Sequence, residues 1–310
     1  MAPWQTWSFA ILATASAALA CGGEDDGLII RKESEPEGRI AFMSGRDGDR
    51  EIYVMNADGS EPTNLSQDPA EDTEPAWSPD GTRIAFTSRR AVTVEVFVMA
   101  ADGSTVTRLT DNPAVEGGSR WSPDGSQIAF YSFRSQLSGF LWLMNADGSD
   151  LRPLFGEIGL DPDLPCNGGF PGGWSPDGEQ IVFRSASAGV QEICTVNVDG
   201  SDIRSVFSHR GALSFSPSWS PDGEWIAFTS SREGNFEIHL IKADGSGLHR
   251  VTDDPANDLD PTWSPDGQWL AFSTDRDGNS EIYIVRPDGS DLRRLTNHPD
   301  EDLMPNWAPR

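Results

Sequence analysis

The sequence has little positive charge, and this deficit excludes one large class of partner. Its 310 residues include 23 Lys and Arg against 49 Asp and Glu, a formal net charge of −26 at pH 7. A surface of this sign repels phosphate backbones, so we expect no nucleic-acid partner. Many Asp residues stand beside Gly, which favours turns and solubility over a site for cations.

Long apolar runs are also missing after residue 20, so no membrane-spanning helix is expected. Phe9 to Ala20 is a short, Ala-rich apolar run, typical of a signal peptide over residues 1–20. It ends in Ala18-Leu19-Ala20-Cys21, which resembles the lipobox of bacterial lipoproteins. Two features depart from that pattern, since Ala18 stands where Leu is usual and the first residues lack Lys and Arg. We predict lipidation at Cys21 and a polar, flexible tether over residues 21–37.

Cysteine is scarce, with three residues in the chain. If Cys21 carries lipid, Cys166 and Cys194 remain, and an oxidising compartment permits one disulfide between them. Two free thiols are the alternative.

Familiar catalytic motifs are absent as well. The sequence has no Gly-x-Ser-x-Gly elbow, phosphate loop or dinucleotide fingerprint. It ends at Arg310, and we expect no hydrolase domain downstream. These absences favour a protein that is not an enzyme, with no catalytic residues to assign.

What the sequence does contain is a repeat, the first feature to seek in a chain of this length. Trp-Ser-Pro-Asp-Gly occurs at 77–81, 121–125, 174–178, 219–223 and 263–267, and 307–310 is an incomplete copy. Each Trp-Ser-Pro-Asp-Gly is followed by a segment such as Ile84-Ala85-Phe86 and then by one such as Glu281-Ile282-Tyr283. A fourth recurring segment is short, as in Arg108-Leu109-Thr110 and Arg294-Leu295-Thr296. Pro-Asp-Gly and Ala-Asp-Gly-Ser between the apolar segments are strong hairpin signals.

Four short antiparallel strands in about 44 residues form one blade of a β-propeller. We label them A (ending at Trp), B (Ile-Ala-Phe), C (Glu-Ile-Tyr) and D (Arg-Leu-Thr). Six B strands and six Trp predict an all-β, six-bladed propeller over residues 38–310. Because the chain starts with a B strand at Arg39 and ends with an A strand at Trp307, the last strand is predicted to complete the first blade.

These strings resemble the WD-like repeats of the TolB-like β-propeller family. The resemblance covers about residues 38 to 310 and is specific for the fold. It does not extend to the N-terminal α/β domain of TolB, since about 17 polar residues separate Cys21 from the first strand. It implies an envelope protein that binds protein partners, but one fold hosts many functions, and a role in the Tol system is not carried over.

Strand direction alternates, so the A–B and C–D turns share one side of the disc, here called the turn face. The B–C and D–A loops share the other side, the loop face. The loops on the loop face vary, and the segment from Gly156 to Gly173 carries an insertion that includes Cys166. Insertions in repeat proteins gather on the binding face, so the loop face is the predicted binding surface.

Charged residues recur at two positions on the loop face, and we predict that they form a collar at the tunnel mouth. The arginines stand six residues after the Ile of strand B: Arg46, Arg90, Arg134, Arg232 and Arg276. The carboxylates stand five residues before the Trp: Asp72, Glu116, Asp258 and Asp302. A ring that grips a peptide or an ion is the functional interpretation. Arg–carboxylate pairs that fix the loops are the structural one.

No metal site or cofactor is predicted. Asp275 to Glu281 resembles the start of a calcium loop but lacks the terminal bidentate Glu, so a hairpin turn is favoured. Calcium held by pooled collar carboxylates is the alternative. The four histidines, His209, His239, His249 and His298, are predicted not to converge on a metal.

Together these features predict a periplasmic or outer-membrane-anchored lipoprotein, monomeric, that touches the membrane only through its lipid. Its partner would be a protein or peptide of the envelope, bound on the loop face. The alternative is a carbohydrate-active or hydrolytic propeller with a site at the tunnel mouth, which would require a His cluster or a carboxylate dyad on that face.

Overall fold

The structure is a computed structural model that describes residues 35–134, 140–155, 166, 168–187 and 190–310. The predicted signal peptide, the lipidation site Cys21 and most of the tether lie outside these residues. Among the described residues, no helix has the length and apolarity needed to cross a bilayer.

Short strands dominate the described chain because its apolar segments are brief, rich in β-branched and aromatic residues, and separated by Gly and Pro turns. The strands are β1 (Arg39–Ser44), β2 (Glu51–Asn56), β3 (Thr63–Asn64), β4 (Asp72–Trp77), β5 (Arg83–Ser88), β6 (Glu95–Ala100), β7 (Thr107–Arg108), β8 (Glu116–Trp121), β9 (Gln127–Ser132), β10 (Phe140–Asn145), β11 (Arg152–Pro153), β12 (Phe170–Trp174), β13 (Gln180–Ser187), β14 (Val190–Asn197), β15 (Arg204–Ser208), β16 (Ser214–Trp219), β17 (Trp225–Ser230), β18 (Glu237–Lys242), β19 (His249–Arg250), β20 (Asp258–Trp263), β21 (Leu270–Thr274), β22 (Glu281–Val285), β23 (Arg293–Arg294) and β24 (Asp302–Trp307).

In the described residues these strands form six four-stranded antiparallel sheets, which are the predicted blades. Blade 1 is β24-β1-β2-β3, and blades 2 to 6 follow as β4–β7, β8–β11, β12–β15, β16–β19 and β20–β23. The A strands are innermost and contact one another in cyclic order from β4 to β24 and back to β4. The predicted ring closure is confirmed, since β24 pairs with β1 and sets Ile40 opposite Trp307.

The core lies between blades and follows from the Ile-Ala-Phe pattern, which places large residues on one side of a strand and Ala on the other. Ile40 and Phe42 of blade 1 pack with Ala271 of blade 6. On the opposite side, Ala41 packs with Ile84 and Phe86 of blade 2. All of these side chains are fully buried. Each interface therefore sets large residues against a small one, which fills the space between twisted sheets.

The A strands carry an irregularity that shapes the tunnel. Each is bulged against its B strand, as between Thr73 and Ala76 in β4. A bulge adds one residue to a strand and redirects a side chain. In five blades the residue three places before the Trp has a left-handed φ between 50° and 64°: Glu74, Gly118, Ser216, Asp260 and Met304.

Candidate functional site

The A strands surround the central tunnel and run from the loop face to the turn face. Each begins at the loop face with a collar position and ends near the turn face at its Trp. The two halves of the tunnel therefore have different linings, and they are described in turn.

In the loop-face half, the four predicted collar carboxylates are fully buried and paired with arginines. Asp302 accepts from Arg46 at 2.7 Å, Asp72 from Arg90 at 2.5 Å, and Asp258 from Arg276 at 3.0 Å. Glu116 is paired with both Nε and Nη2 of Arg134. The pairs lie within single blades, because the Arg follows strand B and the acid opens the adjacent strand A. Burial raises the pKa of Asp72 and Asp258.

The structure does not bring the fifth collar arginine to a collar carboxylate. Blade 5 has Ser214 at the position of the acid, and the Ser214 hydroxyl donates to Ser230 at 3.0 Å. Arg232 instead lies 3.9 Å from Glu233. The arginines keep part of their surface exposed, with side-chain exposure of 13–29%. A ligand at this mouth would meet the collar guanidinium groups rather than their buried carboxylate partners. The binding role of the collar stays a prediction.

The segment that resembled a calcium loop is a turn in the structure. The Gly278 amide donates to the Asp275 carbonyl at 3.0 Å, as in a hairpin. The Asp277 carboxylate accepts from the Tyr283 hydroxyl and lies 2.9 Å from Arg294. Asn279 donates to the His298 carbonyl at 2.8 Å. The polar groups of these side chains therefore find their hydrogen-bond and ion-pair partners close by in the protein.

Cys166 and Cys194 form a disulfide, with 6.0 Å between their Cα atoms. The bond joins the D–A insertion to strand C of blade 4. Among the described residues, the one group with metal-ligand spacing is Cys166, Glu192 and Cys194, whose ligand atoms lie within 4.8 Å of one another. The disulfide occupies both sulfurs, and a disulfide does not offer the thiolates that soft metals need.

The described part of the chain contains all four histidines. Two of them, His239 and His249, lie on β18 and β19 of blade 5, whereas His209 and His298 lie in the loops that precede β16 and β24. His239 is buried on strand C of blade 5, stacked on Phe228 with 5.7 Å between ring centroids. Burial lowers its pKa. His249 packs edge-on against Trp225, and the His298 ring lies 3.5 Å from Asp300.

The turn-face half of the tunnel is a cavity of about 520 Å³. Its walls are the tryptophans and prolines of the repeated Trp-Ser-Pro turns, and Glu74, Arg120 and Asp260 are the charged side chains that line it. The sequence analysis missed these three residues. The sequence did contain a signal for them. The first and third positions before the Trp vary between blades, whereas other positions of the same strand repeat.

The loop face carries a cluster of exposed apolar side chains, here called the apolar patch and defined as Val92, Val115 and Phe133. Their relative exposures are 105%, 40% and 41%. Backbone hydrogen bonds join their loops, since Glu116 N donates to the Val94 carbonyl at 3.0 Å and Phe133 N to the Val115 carbonyl at 3.1 Å. Val115 and Phe133 therefore stand on adjoining segments, and the blade 2 loop that carries Val92 meets the segment of Val115 at Val94.

Aromatic rings extend the apolar patch towards blade 4. Phe133 lies 5.7 Å from Tyr131 and 6.2 Å from Phe170 between ring centroids. The Arg184 guanidinium lies 4.3 Å from the Phe170 centroid. Its Nε is buried without a hydrogen-bond acceptor, and burial lowers its pKa.

Comparison with known proteins identifies the repeat. The sequence matches the model of the TolB beta propeller domain over residues 23–154 and 171–310. The structure of TolB from Acinetobacter baumannii is similar with a TM-score of 0.76 and 22% identity, over 88% of this chain and 67% of that chain. A putative TolB from Agrobacterium tumefaciens gives 0.67 and 22%, over 89% and 92%.

An enzyme shares the architecture more distantly. An oligogalacturonate lyase in complex with manganese has a TM-score of 0.56 and 14% identity, over 84% of this chain and 74% of that chain. At such identities a structural likeness speaks for the fold and not for the chemistry. No curated protein matches the sequence.

Proposed function

The chain belongs to the TolB beta propeller domain family, and from this premise we propose that it is a non-catalytic binding protein of the cell envelope. Its partner is a protein, and the docking surface is the apolar patch on the loop face. The proposal follows the family association and the chemistry of that surface.

The observation that carries the proposal is the exposure of the apolar patch. Hydrophobic side chains that are scattered singly on a surface need no explanation, whereas a contiguous group marks an interaction site. Backbone hydrogen bonds join the loops that carry Val92, Val115 and Phe133, which groups these exposed side chains on the face whose loops vary most between blades. A rigid ring of blades holds these loops in place, as binding surfaces require.

Aromatic and arginine side chains beside the patch support a protein partner in particular. Interfaces are enriched in aromatic residues and Arg, and a few such residues dominate the binding energy. Tyr131, Phe133 and Phe170 form one ring cluster, and the Arg184 guanidinium lies over the Phe170 ring. An apolar segment of the partner fits this arrangement.

The collar arginines lie on the same face and form the second part of the proposed surface. Arg90 and Arg134 belong to the blades that carry the patch, and their carboxylate partners are inaccessible. A partner segment reaching the tunnel mouth would pair with the exposed edges of these guanidinium groups.

We also propose that Cys21 carries a lipid anchor in the periplasm. Metabolic labelling with a palmitate analogue tests this, because labelling that persists in Cys21→Ser would contradict it.

The docking surface is tested by replacing two patch residues with charges. The double variant Val92→Asp/Phe133→Asp should lose its envelope partner in a pull-down, with affinity for the purified partner weakened about tenfold or more. The control is Val106→Asp/Leu292→Asp, which changes two exposed apolar residues (38% and 45%) on the turn face.

The control should bind as the unchanged protein does. Equal binding by both double variants, or equal loss, would contradict docking on the apolar patch. Charge reversal at the buried collar carboxylates is a poor test of binding, because it strands arginines that those carboxylates neutralise.

A further inference from the structure

Three charged side chains face the turn-face half of the tunnel without pairing with one another. Glu74, Arg120 and Asp260 line the cavity, and each influences the titration of another. No nitrogen of Arg120 lies within ion-pair distance of either carboxylate, in contrast to the paired collar. Charges in a cleft with apolar walls are normally paired, because an unpaired charge loses solvation without compensation.

Arg120 is held in place by backbone acceptors. Its Nε donates to the Gly172 carbonyl at 3.0 Å and its Nη1 to the Ser119 carbonyl at 2.8 Å. These bonds fix the plane of the guanidinium and leave Nη2 without a protein acceptor. Burial lowers the pKa of Arg120, so an anionic group beside it would be favoured.

The two carboxylates are each held by one oxygen. Asp260 Oδ1 accepts from the Ser216 hydroxyl at 2.6 Å. Glu74 Oε2 accepts from the Thr87 hydroxyl at 2.7 Å and from the Gly118 amide at 2.9 Å. The second oxygen of each carboxylate has no protein donor. Burial raises the pKa of Asp260, and the Ser216 hydrogen bond and the Arg120 charge act in the opposite direction.

The blade order sets Arg120 and Asp260 on opposite sides of the tunnel. Arg120 belongs to blade 3 and Asp260 to blade 6 of a six-bladed ring, while Glu74 belongs to blade 2. The wall next to Arg120 is open, because Gly173 of blade 4 has no side chain and a Cβ added there would meet nothing within 4 Å. Space for a ligand therefore lies between the cation and the anions.

We propose that this half of the tunnel binds a small free zwitterion, with its carboxylate on Arg120 and its primary ammonium on Asp260. Arg120 offers a planar donor group suited to a carboxylate. Two carboxylates and one guanidinium leave the site with one net negative charge, so a neutral zwitterion or one with an extra positive charge fits. A few convergent polar groups in an apolar pocket are the usual composition of a small-molecule site.

The inference is independent of docking on the loop face, because it concerns the other half of the tunnel. Titration calorimetry at neutral pH with the ω-amino acids from glycine to 6-aminohexanoate tests it directly. The members differ in the spacing of carboxylate and ammonium. One length should bind most tightly, and that length reports the gap between Arg120 and Asp260.

Probes that carry only one of the two charges distinguish a free zwitterion from an amine-bearing side chain of a partner protein. Acetate and butylamine should bind at least about tenfold more weakly than the best zwitterion. N-acetyl-lysine methylamide imitates a lysine of a partner protein and has no carboxylate. Tighter binding of this probe or of butylamine would overturn the proposal in favour of an amine-only site.

Variants of the cavity residues test whether the ligand binds there. Arg120→Gln and Asp260→Asn should each weaken the best zwitterion about tenfold or more, and Gly173→Leu should block it while leaving all charges in place. Arg89→Gln removes an exposed arginine on the loop face and should bind normally. If a charge variant does not fold, Gly173→Leu still tests whether the ligand binds in the cavity.

The proposal is overturned if no ω-amino acid binds at about 10 mM, a concentration at which even very weak sites fill. It is also overturned if binding is unchanged in Gly173→Leu, because the ligand would then lie elsewhere.

Discussion

At the tunnel mouth, Arg90 contacts two carboxylates that differ in burial. Asp72 lies 2.5 Å away with 0% side-chain exposure, whereas Asp68 lies 3.8 Å away with 31% exposure. Asp72→Asn should lower the free energy of unfolding by about 2 kcal/mol, because it leaves the guanidinium beside a buried neutral group. Urea denaturation measures the change.

Asp68→Asn is the matched control, since it removes the same charge from the same arginine at an exposed position. Its effect should stay within about 0.5 kcal/mol. Equal losses in the two variants would mean that the collar pairs act through long-range charge and not through buried contact.

Residue patterns in the sequence located the collar but not the tunnel cavity, for a physical reason. The collar residues recur because four of the six blades use the same pair where strand B meets strand A, so repetition reveals them. Glu74, Arg120 and Asp260 differ between blades, because the tunnel is shared and each blade contributes one different group. Their positions depend on the bulge in strand A, which no local sequence signal specified.

At the scale of elements, the A–B turn and the C–D turn of blade 2 each bring a glycine to the interface with blade 1. The space available for a Cβ differs between the two glycines. Gly103 has a φ of 82°, and a Cβ there would lie 2.7 Å from the Leu65 carbonyl oxygen of blade 1. Gly81 has a φ of 67°, and its Cβ would lie 3.8 Å from the Pro309 ring of blade 1. Substitution by Ala at either position carries the cost of a left-handed backbone. At Gly103 the new Cβ would also clash with the Leu65 carbonyl oxygen.

Gly103→Ala should therefore reduce the free energy of unfolding by about 1–3 kcal/mol more than Gly81→Ala, since a backbone carbonyl must move. Thermal or urea unfolding of the two variants gives the difference. Equal costs would show that the C–D turn shifts freely between blades and that only the left-handed φ matters.

The elements themselves were predictable because their signals are local and repeated. Pro-Asp-Gly and Ala-Asp-Gly-Ser fix the hairpins, and Ile-Ala-Phe fixes which side of strand B faces which neighbour. The apolar patch was harder to predict, because Val and Phe are residue types that usually lie in a core. The exposure of Val92 and Phe133 depends on where their loops lie in the folded ring.

At the scale of the molecule, blade 1 differs from the others because its A strand comes from the far end of the chain. Ala308 N donates to the Arg39 carbonyl at 2.8 Å, and Arg46 pairs with Asp302 across the same junction. In blade 6, a short hairpin joins β20 to β21. Rejoining a strand after about 260 residues costs more loop-closure entropy than rejoining one across a tight turn, so opening should begin at blade 1.

Trp307→Ala and Trp263→Ala test this, because the two side chains are equally buried and their Nε1 atoms donate at 2.8 Å to Glu37 and at 3.2 Å to Ser218. Each substitution should cost about 3–5 kcal/mol. In native-state hydrogen exchange, Trp307→Ala should expose the amides of β1 and β24 well before global unfolding, as a separate opening unit. Trp263→Ala should leave those amides protected until the whole ring unfolds. If β1 and β24 exchange alike in the two variants, the ring has no weak junction, and closure is as strong as a covalent turn.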